Sequence, residues 1–171
     1  MMSKQLLICV ESPKSTPIDY RYIRKLLQNR YEFDPYDSIK PIFLGGKYKY
    51  NSNKVCKEIK EHTDNFFGET IVVFCFDSDD FTTHHDDNLF FKQLTAYCEN
   101  KKYKLVWFVE NIEVVIWGYR VSDKQKKHKA DEFIVKNIEV VGNLTIASPK
   151  ATKTSNLYTI FDEIINKRQL D

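Results

Sequence analysis

An uninterrupted apolar run at residues 70–76 is followed at once by three carboxylates, Asp77, Asp79 and Asp80. Such a run is typical of a strand that helices cover on both faces, as in a parallel sheet. Open α/β sheets bind their ligands in the crevice at the carboxyl ends of the strands. The sequence therefore places a dense group of acids where this class of fold keeps a binding site.

The remainder of the chain alternates strand patterns with helix patterns. Apolar runs predict strands over residues 6–10, 39–44, 70–76 and 105–109, and helical spacing predicts helices over residues 18–30, 52–66, 89–98 and 157–165. Residues 114–117 fit a strand or a helix, residues 122–129 suggest a polar link, and residues 138–141 and 144–147 suggest short terminal strands. This order predicts an α/β fold of three layers, a mostly parallel Rossmann-like sheet between helices.

The length and composition are those of one globular domain. We expect a single domain over residues 1–171, with its core at about residues 5–110 and an extension over residues 111–171. A content of 42% hydrophobic and 14% aromatic residues argues against a disordered or fibrous protein. The cysteines form no C-x-x-C pair, so we expect the reduced thiols of a cytoplasmic protein. No apolar run has the length of a signal peptide or of a membrane span.

The first predicted strand also ends in an acid, Glu11. Because parallel strands end at the same edge of a sheet, we expect Glu11 to lie near Asp77 and Asp79. Carboxylates held close together repel one another unless a cation neutralises them, and Mg²⁺ prefers such hard oxygen ligands. Asp77 and Asp79 are therefore candidate ligands of a magnesium ion.

The order of these motifs resembles that of the TOPRIM domain, which topoisomerases, bacterial primases and the OLD and RloB-like nucleases share. Residues 7–11 (Leu-Ile-Cys-Val-Glu) are similar to the family's glutamate strand, residues 76–79 (Phe-Asp-Ser-Asp) are similar to its Asp-x-Asp strand, and Gly45-Gly46 stands at its glycine turn. Residues 111–117 and 153–157 are similar to segments of RloB-like proteins. The chain departs from the family at Ser12, where a glycine usually follows the glutamate.

This resemblance implies a nuclease that cleaves DNA or RNA phosphodiester bonds with Mg²⁺, or with Mn²⁺ in its place. In the family, the glutamate acts as general acid or base or as a further metal ligand, which implies that role for Glu11 beside Asp77 and Asp79. Asp80 and Glu113 are additional candidate metal ligands. RloB-like proteins further imply bacterial defence against phage and an ATPase partner, since this chain lacks the phosphate loop G-x-x-x-x-G-K-[ST].

A loop that interleaves cations and aromatics follows the second predicted strand. In this loop, Lys47, Tyr48 and Lys49 are candidate nucleic-acid contacts, because lysines pair with phosphates and tyrosines stack on unpaired bases. Lys14, in the turn after the first strand, is a further candidate. The lysine-rich run at residues 124–129 is a solvated segment or a second phosphate contact. A net charge of +2 neither requires nor excludes a polyanionic partner.

Other interpretations of the same residues stay open. Glu11 could cap the first helix, and Asp80 could be a solvated turn residue. For the run at residues 84–87, a polar loop in which Asp86 or Asp87 caps the third helix is preferred to a metal site. An inactive TOPRIM-like module that binds nucleic acid or a partner is the alternative function. A phosphoacceptor receiver domain would need adjacent acids after the first strand, where only Glu11 stands.

Overall fold

The structure, a computed structural model, describes residues 2–167. Its strands are β1 (Lys4–Val10), β2 (Ser38–Phe43), β3 (Glu69–Asp77) and β4 (Lys104–Phe108). Its helices are α1 (Ile18–Arg30), α2 (Asn53–Asp64), α3 (His85–Lys101), α4 (Ile112–Trp117), α5 (Asp123–Val135) and α6 (Leu157–Ile164), with a short 3-10 helix at Lys47–Lys49.

The four strands form one sheet in the order β2-β1-β3-β4, and every pair is parallel. This arrangement confirms the predicted three-layer, Rossmann-like α/β fold. The chain leaves β1 towards β2 on one side and later returns to place β3 on the other side. The carboxyl ends of β1 and β3 therefore flank the topological switch point, where open parallel sheets bind ligands.

Alternate residues of β1 point into two different cores. Leu6 and Ile8 lie in a core that also contains side chains of α1, α4, α5 and α6. Leu7 and Cys9 lie in a second core, formed with α2 and α3. Because both faces of the strand are covered, both must be apolar, which explains the continuous apolar runs in the sequence.

The start of α1 is the predicted one, with Pro17 at its cap position and Ile18 as its first residue. The helix α3 begins earlier than the predicted residue 89. His84 takes the cap position of α3, and the prediction that Asp86 or Asp87 caps this helix is wrong. Both aspartates lie in the first turn of α3, where a carboxylate interacts favourably with the helix dipole.

The predicted polar link at residues 122–129 is instead the start of α5. This helix was missed because few apolar residues mark its inner face. Ala130 and Phe133 are the buried ones, and the Phe133 ring lies 5.2 Å from that of Tyr22 on α1. The ambiguous residues 114–117 belong to the helix α4.

The predicted terminal strands at residues 138–141 and 144–147 are also wrong, since this segment joins no described strand. Its backbone bonds to the end of α4: Val141 N–H donates to the Ile116 carbonyl and Gly142 N–H to the Val115 carbonyl, at 3.0 and 2.9 Å. A Cβ at Gly142 would lie 2.5 Å from that Val115 oxygen. Glycine therefore permits this close backbone contact.

The segment before α6 covers the free edge of β4. The Asn156 carboxamide accepts from Trp107 N–H at 2.9 Å and donates to the Leu105 carbonyl at 3.0 Å. Val109 N–H donates to the Thr154 carbonyl at 2.9 Å. The extension beyond residue 111 is thus bonded directly to the sheet. Among the described residues, no helix combines the length and apolar character that a membrane crossing requires.

Candidate functional site

Glu11 and Asp77 meet at the switch point of the sheet. Asp77 N–H donates a hydrogen bond to Glu11 Oε1 at 3.0 Å, which joins the carboxyl ends of β1 and β3. Asp77 Oδ1 accepts from Ile112 N–H at 3.0 Å, at the start of α4. The structure therefore brings together the two acids that the sequence placed on separate strands.

The glycine turn after β2 is bonded to the backbone of Glu11. Gly46 N–H donates to the Glu11 carbonyl at 2.9 Å, and Gly45 and Gly46 have φ values of +68° and +142°. Residues with a side chain rarely adopt such values, so glycine is required for this path. The turn directs the following residue, Lys47, back towards the acids.

The acidic loop after β3 is held to the loop after β4. Buried Ser78 donates its N–H to the Phe108 carbonyl at 2.8 Å, and its Oγ accepts from Glu110 N–H at 3.1 Å. Asp79 N–H donates to the Glu110 carbonyl at 3.0 Å. Asp79 and Glu110 both have positive φ, of 48° and 60°. Left-handed backbone at residues other than glycine is uncommon and concentrates at functional sites.

Lys47 is the internal counter-ion of this loop. Its Nζ lies 2.9 Å from Asp79 Oδ2 and 3.0 Å from Asp87 Oδ1, the latter in the first turn of α3. Partial burial acts in the opposite direction, but the two carboxylates raise the pKa of Lys47. Lys47 therefore neutralises Asp79, and only 20% of its side chain is exposed to a ligand.

Asp19 belongs to the same acidic group and was missed by the sequence analysis. It lies in the first turn of α1, and its carboxylate accepts from both the N–H and the Oγ–H of Ser12. These hydrogen bonds from Ser12 hold the turn that follows Glu11. The sequence signal was available, because an acid two residues after Pro17 falls in the first helical turn.

Burial and mutual repulsion raise the proton affinity of these acids. Burial, followed by the nearby carboxylates of Asp79 and Asp19, raises the pKa of Glu11 to about 7 despite the hydrogen bond from Asp77 N–H. Burial, followed by the charge of Glu11, raises the pKa of Asp77 well above its ordinary value. Burial also raises the pKa of Glu113. Strongly perturbed pKa values cluster at functional sites.

The donor chemistry of the site fits Mg²⁺ in part. Glu11, Asp77 and Asp79 each use one carboxylate oxygen in the protein contacts above, which leaves the second oxygen for a ligand. Among residues 2–167, however, no three or more His, Cys, Asp or Glu side chains are grouped to hold a metal ion together. The residues therefore suit an ion held by one or two carboxylates and water, as Mg²⁺ often is.

The other candidate residues lie around this group at different distances. Asp80 lies 3.8 Å from Arg120, and Glu113, on α4, is 4% exposed and contributes to the raised pKa of Asp77. Tyr48 is 66% exposed. Lys49 and Lys14 are exposed, and neither forms an ion pair among the described residues. His84 and His85 are exposed at the start of α3, and His84 Nδ1 lies 3.8 Å from Asp87 Oδ2.

Comparison of the chain with protein-family models, curated proteins and solved structures found no match.

Proposed function

We propose that this protein is a metal-dependent nuclease of the TOPRIM type that cleaves phosphodiester bonds of DNA or RNA. The observation that supports this proposal best is the hydrogen-bonded pair of Glu11 and Asp77 at the switch point, with Asp79 in the adjoining loop. Acids from two strands meet at the edge where parallel sheets bind ligands. Burial, followed by the charges of neighbouring carboxylates, raises the pKa values of Glu11 and Asp77, and a bound cation would favour their charged forms.

Each acid has a role in this proposal. Asp77 and Asp79 would hold Mg²⁺ or Mn²⁺, with Asp80 and Glu113 as further candidate ligands. The bound ion would neutralise the phosphodiester and the charge that develops during its cleavage. Glu11, with a pKa of about 7, can accept or donate a proton near neutral pH and is the candidate general acid or base. Asp19 is a positioning residue, because it holds Ser12 next to Glu11.

A second candidate function is an inactive module with the same fold that binds nucleic acid or a partner. The ion pair of Asp79 with Lys47 favours this alternative, since a lysine already neutralises one of the candidate metal ligands. The lack of a three-residue metal-holding group within residues 2–167 favours it too. The two functions differ in metal-dependent cleavage and need not differ in binding.

A cleavage assay separates the two functions. Purified protein is incubated with plasmid DNA, single-stranded DNA and transfer RNA in Mg²⁺, in Mn²⁺ and in EDTA. We expect cleavage in the presence of a metal ion and its loss in Asp77→Asn, whose amide oxygen keeps the hydrogen bond from Ile112 N–H. Asp86→Asn, which alters an exposed acid of α3, is the matched control and should cleave normally.

Calorimetric titration tests the metal ligands separately from cleavage. Mg²⁺ or Mn²⁺ affinity should fall in the Asp77→Asn/Asp79→Asn double variant and stay unchanged in Asp86→Asn. Unchanged affinity in the double variant would remove this metal site. If the wild type cleaves none of the substrates in either metal, even with a partner ATPase added, the inactive module becomes the better account.

The biological role follows from the resemblance to RloB-like proteins. We propose that the protein acts in bacterial defence against phage, in the cytoplasm and together with an ATPase. Nucleic-acid contact would come from Lys47, Tyr48 and Lys49 beside the acids and from Lys14 in the turn after β1.

A further inference from the structure

Two pairs of a cation and a tyrosine flank the acidic loop on opposite sides. On one side, Lys47 contacts Asp79 at 2.9 Å, and Tyr48 follows it in the chain. On the other side, Arg120 lies 3.8 Å from Asp80, and Tyr119 precedes it. Although far apart in the sequence, the two pairs are brought to the same loop by the fold.

Both tyrosines are exposed, and another side chain lies against the ring of each. Tyr48 is 66% exposed, and its ring packs edge-on against the Phe90 ring of α3 at 5.2 Å. Tyr119 is 50% exposed, and Lys129 Nζ lies 5.9 Å from its ring and 4.5 Å from that of Trp117. Neither ring is enclosed in a core, so each can accept a planar partner.

Cations accompany the tyrosines at the rim of the site. Arg120 is 71% exposed and also contacts Glu110 Oε2 at 3.1 Å. Lys124 and Lys127 are exposed in the first turns of α5, which begins three residues after Arg120. On the opposite side, Lys49 is exposed next to Tyr48. These cations offset the repulsion that the acids would exert on a phosphate backbone.

We propose that Tyr48 and Tyr119 stack on unpaired bases, so that this site takes single-stranded nucleic acid. This inference rests on the proposed function, which supplies the premise that the ligand at the acids is a nucleic acid. In a duplex, the bases are stacked on one another and their faces are closed to side chains unless a base is flipped out. Unpaired bases offer an open π-face to an exposed aromatic ring, whatever their sequence.

The experiment measures binding in EDTA, so that it does not depend on cleavage. Fluorescence anisotropy compares labelled single-stranded DNA, single-stranded RNA and a duplex of matched sequence. We expect tighter binding of the single strands than of the duplex. Because stacking on one aromatic side chain is worth about 1–3 kcal/mol per base, Tyr48→Ala and Tyr119→Ala should each weaken single-strand binding about 5- to 150-fold.

Matched variants separate stacking from other effects. Tyr36 is 82% exposed and precedes β2, at the amino ends of the strands and away from the acids. Tyr36→Ala should therefore bind single strands like the wild type. Tyr48→Phe and Tyr119→Phe keep the stacking surface and should retain most of the affinity. Unfolding temperatures close to that of the wild type confirm that each variant is folded.

The outcomes distinguish this inference from the proposed function. Duplex binding as tight as single-strand binding, or alanine variants that bind like Tyr36→Ala, would overturn the inference even if the protein is a nuclease. Tight, tyrosine-dependent binding of single strands would support it even if no metal-dependent cleavage is found.

Discussion

Burial and charge repulsion together raise the pKa values of the Glu11 and Asp77 carboxyl groups. Each is stabilised by a single backbone N–H, Glu11 by that of Asp77 and Asp77 by that of Ile112. One such bond offsets only part of the cost of a buried negative charge. The side chains therefore bind protons more tightly than they would in water, which suits a role in proton transfer and makes the site sensitive to pH.

We predict that Glu11→Gln lowers the rate of metal-dependent cleavage far more than it lowers substrate affinity. General acid–base assistance is typically worth about 10²–10⁴ in rate, and the amide keeps an oxygen for Asp77 N–H. Single-turnover cleavage and anisotropy binding measure the two effects. Glu139→Gln, at an exposed position, is the control. Cleavage by Glu11→Gln at the wild-type rate would exclude Glu11 from the mechanism.

We also predict that Glu11→Gln stabilises the protein above pH 7. The pKa of Glu11 is about 7 in the folded chain and about 4.5 as the ordinary value. The stability that its protonation contributes is therefore complete below pH 4.5 and is lost as the pH rises through 7.

At pH 8 in EDTA, the variant should gain on the order of 1–3 kcal/mol in free energy of unfolding over the wild type. At pH 4.5 the gain should vanish. Urea unfolding across this pH range gives the measurement. If the difference in free energy of unfolding between Glu11→Gln and the wild type stays constant from pH 4.5 to pH 8, the raised pKa of Glu11 is contradicted.

At the scale of elements, the segment before α6 takes the place of a further strand. Asn156 bonds the backbone of β4 through its side chain on both sides, at Trp107 and Leu105. Buried Ser155 forms a bridge with Phe108. The unpaired N–H and C=O groups of an edge strand can pair with another chain and cause aggregation. The segment before α6 covers these groups on β4.

We predict that Asn156→Ala destabilises the fold by about 1–3 kcal/mol. The substitution leaves Trp107 N–H and the Leu105 carbonyl without their partner, and a buried polar group without a partner costs about that much. Urea unfolding measures the change. Asn156→Asp keeps an acceptor for Trp107 N–H, so its free energy of unfolding should lie between those of the wild type and Asn156→Ala. Asn137→Ala, on the exposed surface, should be neutral; an equally neutral Asn156→Ala would show that water replaces these bonds.

For the whole molecule, the distribution of charge matters more than its sum. A net charge of +2 hides an acidic edge of the sheet surrounded by cations. Lys47 and Arg120 are committed to ion pairs with the acidic loop, whereas Lys49 is exposed. A polyanion approaching this edge would meet the exposed cations first.

We predict that Lys49→Ala weakens nucleic-acid binding and flattens its salt dependence by about one unit of logarithmic slope, the value for one lost phosphate contact. In the Lys47→Ala/Lys49→Ala double variant, the slope should fall by less than two units, because Lys47 is paired with Asp79 and Asp87. Binding is titrated against salt in EDTA. Lys101→Ala, in the last turn of α3 and away from the carboxyl ends of the strands, is the control. An unchanged salt slope in Lys49→Ala would show that the loop containing Lys49 does not contact phosphate.

The sequence by itself determined the layers of the fold and the edge at which the acids lie. Continuous apolar runs require cover on both faces, and alternation of strand and helix requires parallel pairing. Glu11, Asp77 and Asp79 could therefore be assigned to one edge of the sheet. Short-range patterns were sufficient here, because each strand carries its own signal.

The tertiary structure decided what distant segments do to one another. It paired Lys47 with Asp79, tied Asp19 to Ser12, and brought Tyr119 to the side of the acidic loop opposite Tyr48. It also made a helix of the lysine-rich residues 123–135 and a loop of the apolar residues 138–147. The physical reason is the same in each case. A local pattern records how a segment divides between core and solvent, but not which remote backbone or charge completes its bonds.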